Sequence, residues 1–352
     1  MSRRLRRAIG IFGIAAVVVL VSAALVGWRA WPGTVGAGHS PTPVIGLASP
    51  TLSPTASASK SATTTPWTTA SPTPPTLEPT SIPSPSAVLI GAGDICRLSS
   101  IADAGKTAVL ISTRSTARVF TLGDNSNDSG TADEYATCYG ATWGAFKSRT
   151  SPTAGNHDQM TSHGAPYYAY FGSAAGTAGK GYYSYGLVAD WHVIVLNAIC
   201  GEVGGCDAGS PEETWLKADL AANAGKHILA MWHIPEFSSG GHGNTTAYRA
   251  WWDDLYVAHA DVVLNGHDHD YERYAQQSPA GAADPNGIRE FVVGTGGASH
   301  TSFVTIRANS EKRNDGTFGV LELTLKLDSY GWQFIPIEGG TFTDSGETAT
   351  HS

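Results

Sequence analysis

Five short segments of this 352-residue chain carry oxygen or imidazole donors at close spacing: Gly93-Asp94, Gly123-Asp124-Asn125, Gly155-Asn156-His157-Asp158, Trp232-His233 and Gly266-His267-Asp268-His269. In four of them a glycine lets the backbone turn tightly beside the donor. Carboxylate, amide oxygen and imidazole together suit a borderline cation such as zinc, manganese or iron better than calcium. His267 and His269 stand two apart, so at a strand end they can reach two neighbouring ions. A single Asp placed between two sites can bridge both. Two such ions roughly 3.5–4 Å apart would lower the pKa of a water and clamp an anionic group.

The elements that must position these donors are legible in the hydropathy pattern. Apolar, β-branched runs at 87–91, 118–122, 191–198, 226–232 and 260–264 predict strands. Asp94, Asp124, Asn156, His233 and His267 lie at or just past strand ends, where loops converge to build a site. Helices are predicted at 101–112, 131–147, 210–223 and 246–258, the third opened by Ser210 and Pro211. Segments 182–198, 289–295 and 318–337 follow one another without long helices and read as hairpin or meander strands. The pattern predicts an α/β fold, two mixed sheets packed together with helices outside.

The first 86 residues have another character. Arg3, Arg4, Arg6 and Arg7 precede an uncharged apolar stretch from about residue 8 to 28. About 20 such residues span a bilayer core, and the arginines keep the amino end cytoplasmic. Residues 1–32 are therefore read as an anchor helix with the rest exported, the alternative being a cleaved signal peptide and a secreted protein. Residues 33–86 are read as a stalk, since 32 of the 47 residues at 40–86 are Ser, Thr or Pro. A catalytic domain is expected over 87–345, with a tail at 346–352.

Removing the six basic residues and one acid of positions 1–86 from the chain's 22 and 30 leaves 16 and 29, a net −13 with His neutral. That balance argues against a nucleic-acid polymer as partner, because such binding is driven by Lys and Arg. If a phosphate group is the ligand, bound cations must attract it. All four cysteines follow the apolar segment, and an even count in an oxidising compartment predicts two disulfides. Cys200 and Cys206 flank three glycines and close a small loop, leaving Cys96 with Cys138.

These segments resemble the five blocks of the metallophosphoesterase superfamily, in detail its purple acid phosphatase branch. Residues 122–135, Cys138-Tyr139, Thr142-Trp143-Gly144, Tyr182-Tyr183-Ser184, 191–197 and 291–297 carry the likeness, which covers nearly all of 87–337. The resemblance implies the calcineurin-like fold, a β-sandwich flanked by helices, and two divalent or trivalent ions drawn from iron, zinc and manganese. It implies Asp124 as bridging carboxylate, Asp94 and His269 on the first ion, and Asn156, His233 and His267 on the second. His157 would stand beside the phosphate as the catalytic residue, with metal-bound hydroxide attacking phosphorus directly. Where the branch has a tyrosine ligand three residues past the bridging Asp, this chain has Asn127, which predicts a colourless protein. Asn127 is a further candidate ligand, and so is the Cys96 thiolate, its disulfide with Cys138 being the competing reading. Asn125 and His242, with His163, are candidate pocket residues, while Asp158 and Asp268 read as turn or supporting groups and His192, in a strand after Trp191, as structural.

The activity implied is hydrolysis of a small phosphate monoester. The alternatives are a phosphodiesterase or nucleotidase with the same centre, and a non-catalytic surface protein on a degenerate phosphatase fold.

Overall fold

The computed structural model describes residues 85–351. The expected anchor helix and stalk lie outside the described residues, apart from Pro85 and Ser86. Among the described residues no helix is long and apolar enough to cross a membrane.

In chain order the strands are β1 (Ala87–Ala92), β2 (Arg118–Thr121), β3 (Thr150–Ser151), β4 (Tyr183–Gly186), β5 (Trp191–Val195), β6 (His227–Met231), β7 (Val262–Asn265), β8 (Tyr271–Tyr274), β9 (Arg289–Val293), β10 (Ser310–Asn314), β11 (Gly319–Leu325), β12 (Ser329–Pro336) and β13 (Asp344–Ala349). The helices among them are α1 (Ile101–Ser112), α2 (Ala132–Glu134), α3 (Asn156–Met160), α4 (Ala165–Phe171), α5 (Cys200–Val203), α6 (Pro211–Ala222) and α7 (Arg249–Val257). They build a six-stranded sheet ordered β13-β12-β11-β1-β2-β3 and a seven-stranded sheet ordered β10-β8-β9-β7-β6-β5-β4.

Period-two alternation explains the layering. On the second sheet Val193, Val195, Leu229, Met231, Val262, Leu264, Phe291 and Val293 share one core with Leu89, Val119, Phe120, Leu321 and Leu323 of the first sheet. The intervening Ile194, Ile228, Ala230, Val263 and Val292 share a second core with Leu216 and Leu220 of α6 and Trp251, Trp252 and Leu255 of α7. Strands buried on both faces must be apolar throughout, which is why 226–232 and 260–264 read as continuous runs.

Each sheet holds a run of parallel strands: β1 with β2 and β2 with β3 in the first, β5 with β6, β6 with β7 and β7 with β9 in the second. Their carboxyl ends meet at one edge, where Gly93 N donates to the Val293 carbonyl at 2.8 Å and Gly296 N to the Gly93 carbonyl at 2.9 Å. The two sheets are stitched together where the donors emerge.

Helices α1, α6 and α7 stand where the sequence predicts them. The Ser210 hydroxyl accepts from Glu213 N at 3.2 Å and Pro211 opens α6, satisfying one donor that a helix start leaves unpaired. The helix expected over 131–147 is broken instead. Helix α2 runs into a π-helical stretch, Tyr135–Tyr139, then Gly140, and a 3-10 segment, Trp143–Arg149, follows. The break lets Trp143 bury fully and donate to the Thr107 hydroxyl of α1 at 3.0 Å.

Segment 289–295 pairs as a hairpin strand on one side, since β9 runs antiparallel to β8, the strand before it, but on its other side it runs parallel to β7. Residues 346–352, read as a tail, instead continue β13 on the margin of the first sheet as far as Ala349. Strand β13 was missed because Asp344-Ser345-Gly346-Glu347-Thr348-Ala349 has no apolar alternation, and an edge strand draws its ladder from a neighbour.

Both disulfides form, Cys96–Cys138 with Cα atoms 5.8 Å apart and Cys200–Cys206 with 5.2 Å.

Candidate metal centre

Asp94 follows β1 and Asp124 follows β2, both fully or almost fully buried, and both take left-handed backbone, with φ of 56° and 49°. His267, past the end of β7, does the same with φ of 71°. Such conformations cost a non-glycine residue about 1–3 kcal/mol each. Burying a single core side chain such as Leu89 or Phe120 contributes about 1.5–3 kcal/mol, so the adjoining core can hold the strain. It turns three donors into one space.

Glycine makes that space possible. A Cβ on Gly123, whose φ is 87°, would lie 2.5 Å from His233 Nδ1, and one on Gly155 would collide with the Asp124 carboxylate.

Each carboxylate is fixed by a main-chain donor. Asp124 Oδ1 accepts from His157 N at 2.8 Å, and Asp94 Oδ2 accepts from His267 N at 2.8 Å. Their other oxygens face inward. Asp94 Oδ1 is 3.2 Å from His269 Nε2, and Asp124 Oδ2 is 3.3 Å from His233 Nε2.

The imidazoles are oriented from behind. His233 Nδ1 donates to the Leu122 carbonyl at 2.7 Å, which directs Nε2 into the site. There it lies 3.0 Å from Asn156 Oδ1 and 3.2 Å from His267 Nδ1. His269 Nδ1 is held by the Ser299 hydroxyl at 2.6 Å. His157 Nδ1 donates to the Asp128 carbonyl at 2.8 Å, leaving Nε2 facing Asp124 Oδ2 at 3.8 Å.

These donors fit cations. One nitrogen, His233 Nε2, has one lone pair or one proton to offer, yet it faces an amide oxygen, a carboxylate oxygen and a second imidazole nitrogen. Donor atoms of Asp94, Asp124 and His233 all lie within 4.8 Å of one another. A positive charge among them resolves that crowding of acceptors. The protonation equilibria report the same field. Burial opposes ionisation of Asp124, but His233 and then His157 hold its carboxyl down at about 2. Burial likewise opposes charge on His233, and Asp124 overrides it, raising it to about 9. His267 is driven down to about 3 by burial and by its neighbours His233 and His242, so its ring is neutral, the form in which an imidazole can bind a metal.

The six residues expected to hold metal are thus brought together: Asp94 with His269, Asn156 with His233 and His267, and Asp124 beside His233 and His157. Three expectations are corrected. Cys96 is in a disulfide and has no thiolate to offer. Asn127 presents Nδ2, not oxygen, to Asp94 Oδ1 at 3.3 Å and Asp124 Oδ2 at 3.1 Å. Asn125 is buried beneath the site, donating to the Thr153 carbonyl and Asp158 Oδ2, so it lines no pocket.

His242 does stand at the rim, its ring centroid 4.1 Å from that of His267 and its Nδ1 2.8 Å from Asp268 Oδ1. His163 points outward and pairs with Glu202 at 2.9 Å. Asp158 and Asp268 are supporting groups as read, Asp158 accepting from the main chain of Asn125, Ser126 and Gly155, while His192 is structural, its Nε2 2.6 Å from Asp219 Oδ2. Burial and the Asp124 charge raise the Asp158 carboxyl to about 6. The orienting partners Ser299, Leu122 and Asp128 went unseen. Two act through carbonyls, which side-chain identity cannot reveal, and Ser299 lies in the loop six residues past the end of β9, too far for the strand-end rule to mark it.

The calcineurin-like phosphoesterase family model matches residues 93–271. Purple acid phosphatase 18 of Arabidopsis thaliana is 31% identical over 122 residues, 33% of this chain and 26% of that protein. Purple acid phosphatase 15 of the same plant is 29% identical over 178 residues, 44% of this chain and 32% of that one. The match thus spans about a third or less of these relatives' own length. Among solved structures, a purple acid phosphatase from yellow lupin (Lupinus luteus) seeds aligns with TM-score 0.62 at 17% identity, covering 76% of this chain and 54% of that one. A dimetal phosphatase from Danio rerio aligns with TM-score 0.54 at 14% identity, covering 73% and 98%. At such identities the structural likeness speaks to the fold alone.

Proposed function

Since this chain belongs to the calcineurin-like phosphoesterase family, we propose that it hydrolyses small phosphate monoesters at a centre of two metal ions. The observation that carries this is the convergence of Asp94, Asp124, Asn156, His233, His267 and His269, with His157 Nε2 opening onto the same space. Asp94 and His269 would hold one ion, Asn156, His233 and His267 the other, and Asp124 both. Zinc, manganese and iron all suit these donors. Bound there, such ions activate water and neutralise phosphate charge.

The protein's own groups do the rest. The Asp128 carbonyl fixes the His157 ring with Nε2 toward the substrate, where it can stabilise charge on phosphorus and pass a proton to the leaving oxygen. His242 is the second group at the rim. Its hydrogen bond to Asp268 raises its proton affinity, so it can offer positive charge to a bound phosphate. The net negative charge of the domain supports a small substrate over a nucleic-acid polymer. Two disulfides support an oxidising, extracytoplasmic compartment, with the N-terminal apolar segment as the anchor.

The test is an assay of the purified chain with the mono- and diester of p-nitrophenol, before and after chelation. Monoester turnover lost on chelation and restored by metal supports the proposal. Turnover of the diester alone replaces it with a phosphodiesterase, and bound metal without turnover leaves a degenerate enzyme.

A further inference from the structure

Between the two carboxylates stands a donor where an oxygen ligand would be expected. Asn127 is fully buried, and its Nδ2 donates to Asp124 Oδ2 at 3.1 Å and Asp94 Oδ1 at 3.3 Å. What orients the amide is Arg97. Its Nη2 donates to Asn127 Oδ1 at 3.1 Å and to the Asn127 carbonyl at 3.4 Å. A guanidinium has no lone pair to offer, so the atom facing it must be the amide oxygen. The atom facing two carboxylates must then be the amide nitrogen, and both sides of the group agree. Turning the amide over would set NH2 against guanidinium and oxygen against two carboxylates.

The clamp is itself anchored. Arg97 Nε lies 3.4 Å from Asp128 Oδ1, and Asp128 Oδ2 accepts from Leu98 N at 2.9 Å. Asn127 N donates to the Cys96 carbonyl at 2.7 Å, and Cys96 is tied to Cys138. The amide has little freedom to swing its oxygen toward the centre.

Resting on the two-ion reading above, we infer that Arg97 and Asn127 set the charge the metal centre accepts, admitting two divalent ions and disfavouring a trivalent one. The six donors carry only two formal negative charges, on Asp94 and Asp124. Both share electron density with Asn127 Nδ2, and a guanidinium charge stands immediately behind it. A trivalent cation gains most from an additional anionic oxygen, and this position supplies a proton donor instead. Arg97 touches neither substrate nor ion, so it is a positioning residue that acts through Asn127.

The experiment uses the full chain and its Arg97→Met, Arg97→Lys and Asn127→Asp variants. Each is stripped with chelator and reloaded from an equimolar mixture of Fe(III), Zn(II) and Mn(II). Elemental analysis and the visible spectrum are read, with circular dichroism as the folding control. The wild type should carry two divalent ions and little iron(III). Arg97→Met frees the amide oxygen and should raise the trivalent fraction about tenfold, the scale of one lost charge-assisted hydrogen bond. Arg97→Lys, which keeps donor and charge, should stay near the wild type. Asn127→Asp offers oxygen in either orientation and should raise the fraction even if Arg97→Met fails to fold. Wild-type protein that fills one site with iron(III), or variants whose metal content is unchanged, would overturn the inference alone. A wild-type protein that binds no metal would instead remove the two-ion reading beneath it.

Discussion

Asp124 and His157 meet twice: the His157 amide donates to Asp124 Oδ1 at 2.8 Å, and the His157 ring returns to within 3.8 Å of Asp124 Oδ2. The carboxylate proposed to bridge both ions therefore also sets the start of α3 and the attitude of the group proposed to act on the substrate. Because the main-chain contact needs no imidazole, the two roles can be separated by substitution.

His157→Ala should fold and keep its metal while losing about 10²–10⁴ in turnover, the usual contribution of a positioned acid–base group. Metal content and kcat measured on one preparation decide it. Near-normal kcat with full metal would remove His157 from the chemistry.

Asp124→Asn should behave differently. It replaces the anionic donor nearest His233 with a neutral one, at a site where His233 Nε2, Asn156 Oδ1 and His267 Nδ1 already crowd together. Elemental analysis should find both ions depleted. Retention of one full ion would show that Asp124 serves a single site.

The bond between Cys96 and Cys138 closes a 42-residue separation and ties the Asp94 loop to the helical segment that follows α2. Replacing both cysteines with alanine should lower unfolding free energy by about 2–4 kcal/mol. Denaturant titration measures this, and an unchanged midpoint would mean that packing of the buried loop suffices.

Glu212 gives the clearest pH dependence away from the metal donors. Burial raises its carboxyl from the ordinary 4.5 to about 9, one oxygen accepting from Asn197 N at 2.7 Å and the other having no partner. Between those values the folded state binds a proton that the unfolded state has released. Stability from this group is therefore fully present below about pH 4.5 and is lost as pH rises through about 9. Glu212→Gln keeps the acceptor and cannot ionise. Its stability relative to wild type should climb across that window and level off above it, as thermal melts at stepped pH will show. A constant difference between the two proteins would contradict the assignment.

The order of the five donor segments and the strands beneath them were legible because parallel strands buried on both faces must be apolar, and the donors come directly after them. Disulfide pairing was legible by elimination. Edge strands such as β10 and β13 were not, since Ser310-Glu311-Lys312-Arg313-Asn314 and its like are defined by a neighbour's ladder rather than by their own side chains.

What the chain determines by itself is which donors exist and in what order they are delivered: residue type and hydropathy are local properties. Whether Asn127 gives oxygen or hydrogen to the centre, whether Cys96 is a ligand, and whether Asn125 faces substrate or core were decided only on folding. Each of those answers depends on a partner at least 28 residues distant, Arg97, Cys138 and Thr153 respectively. A side chain's role in a buried site is fixed by what stands opposite it, and that is a property of three dimensions.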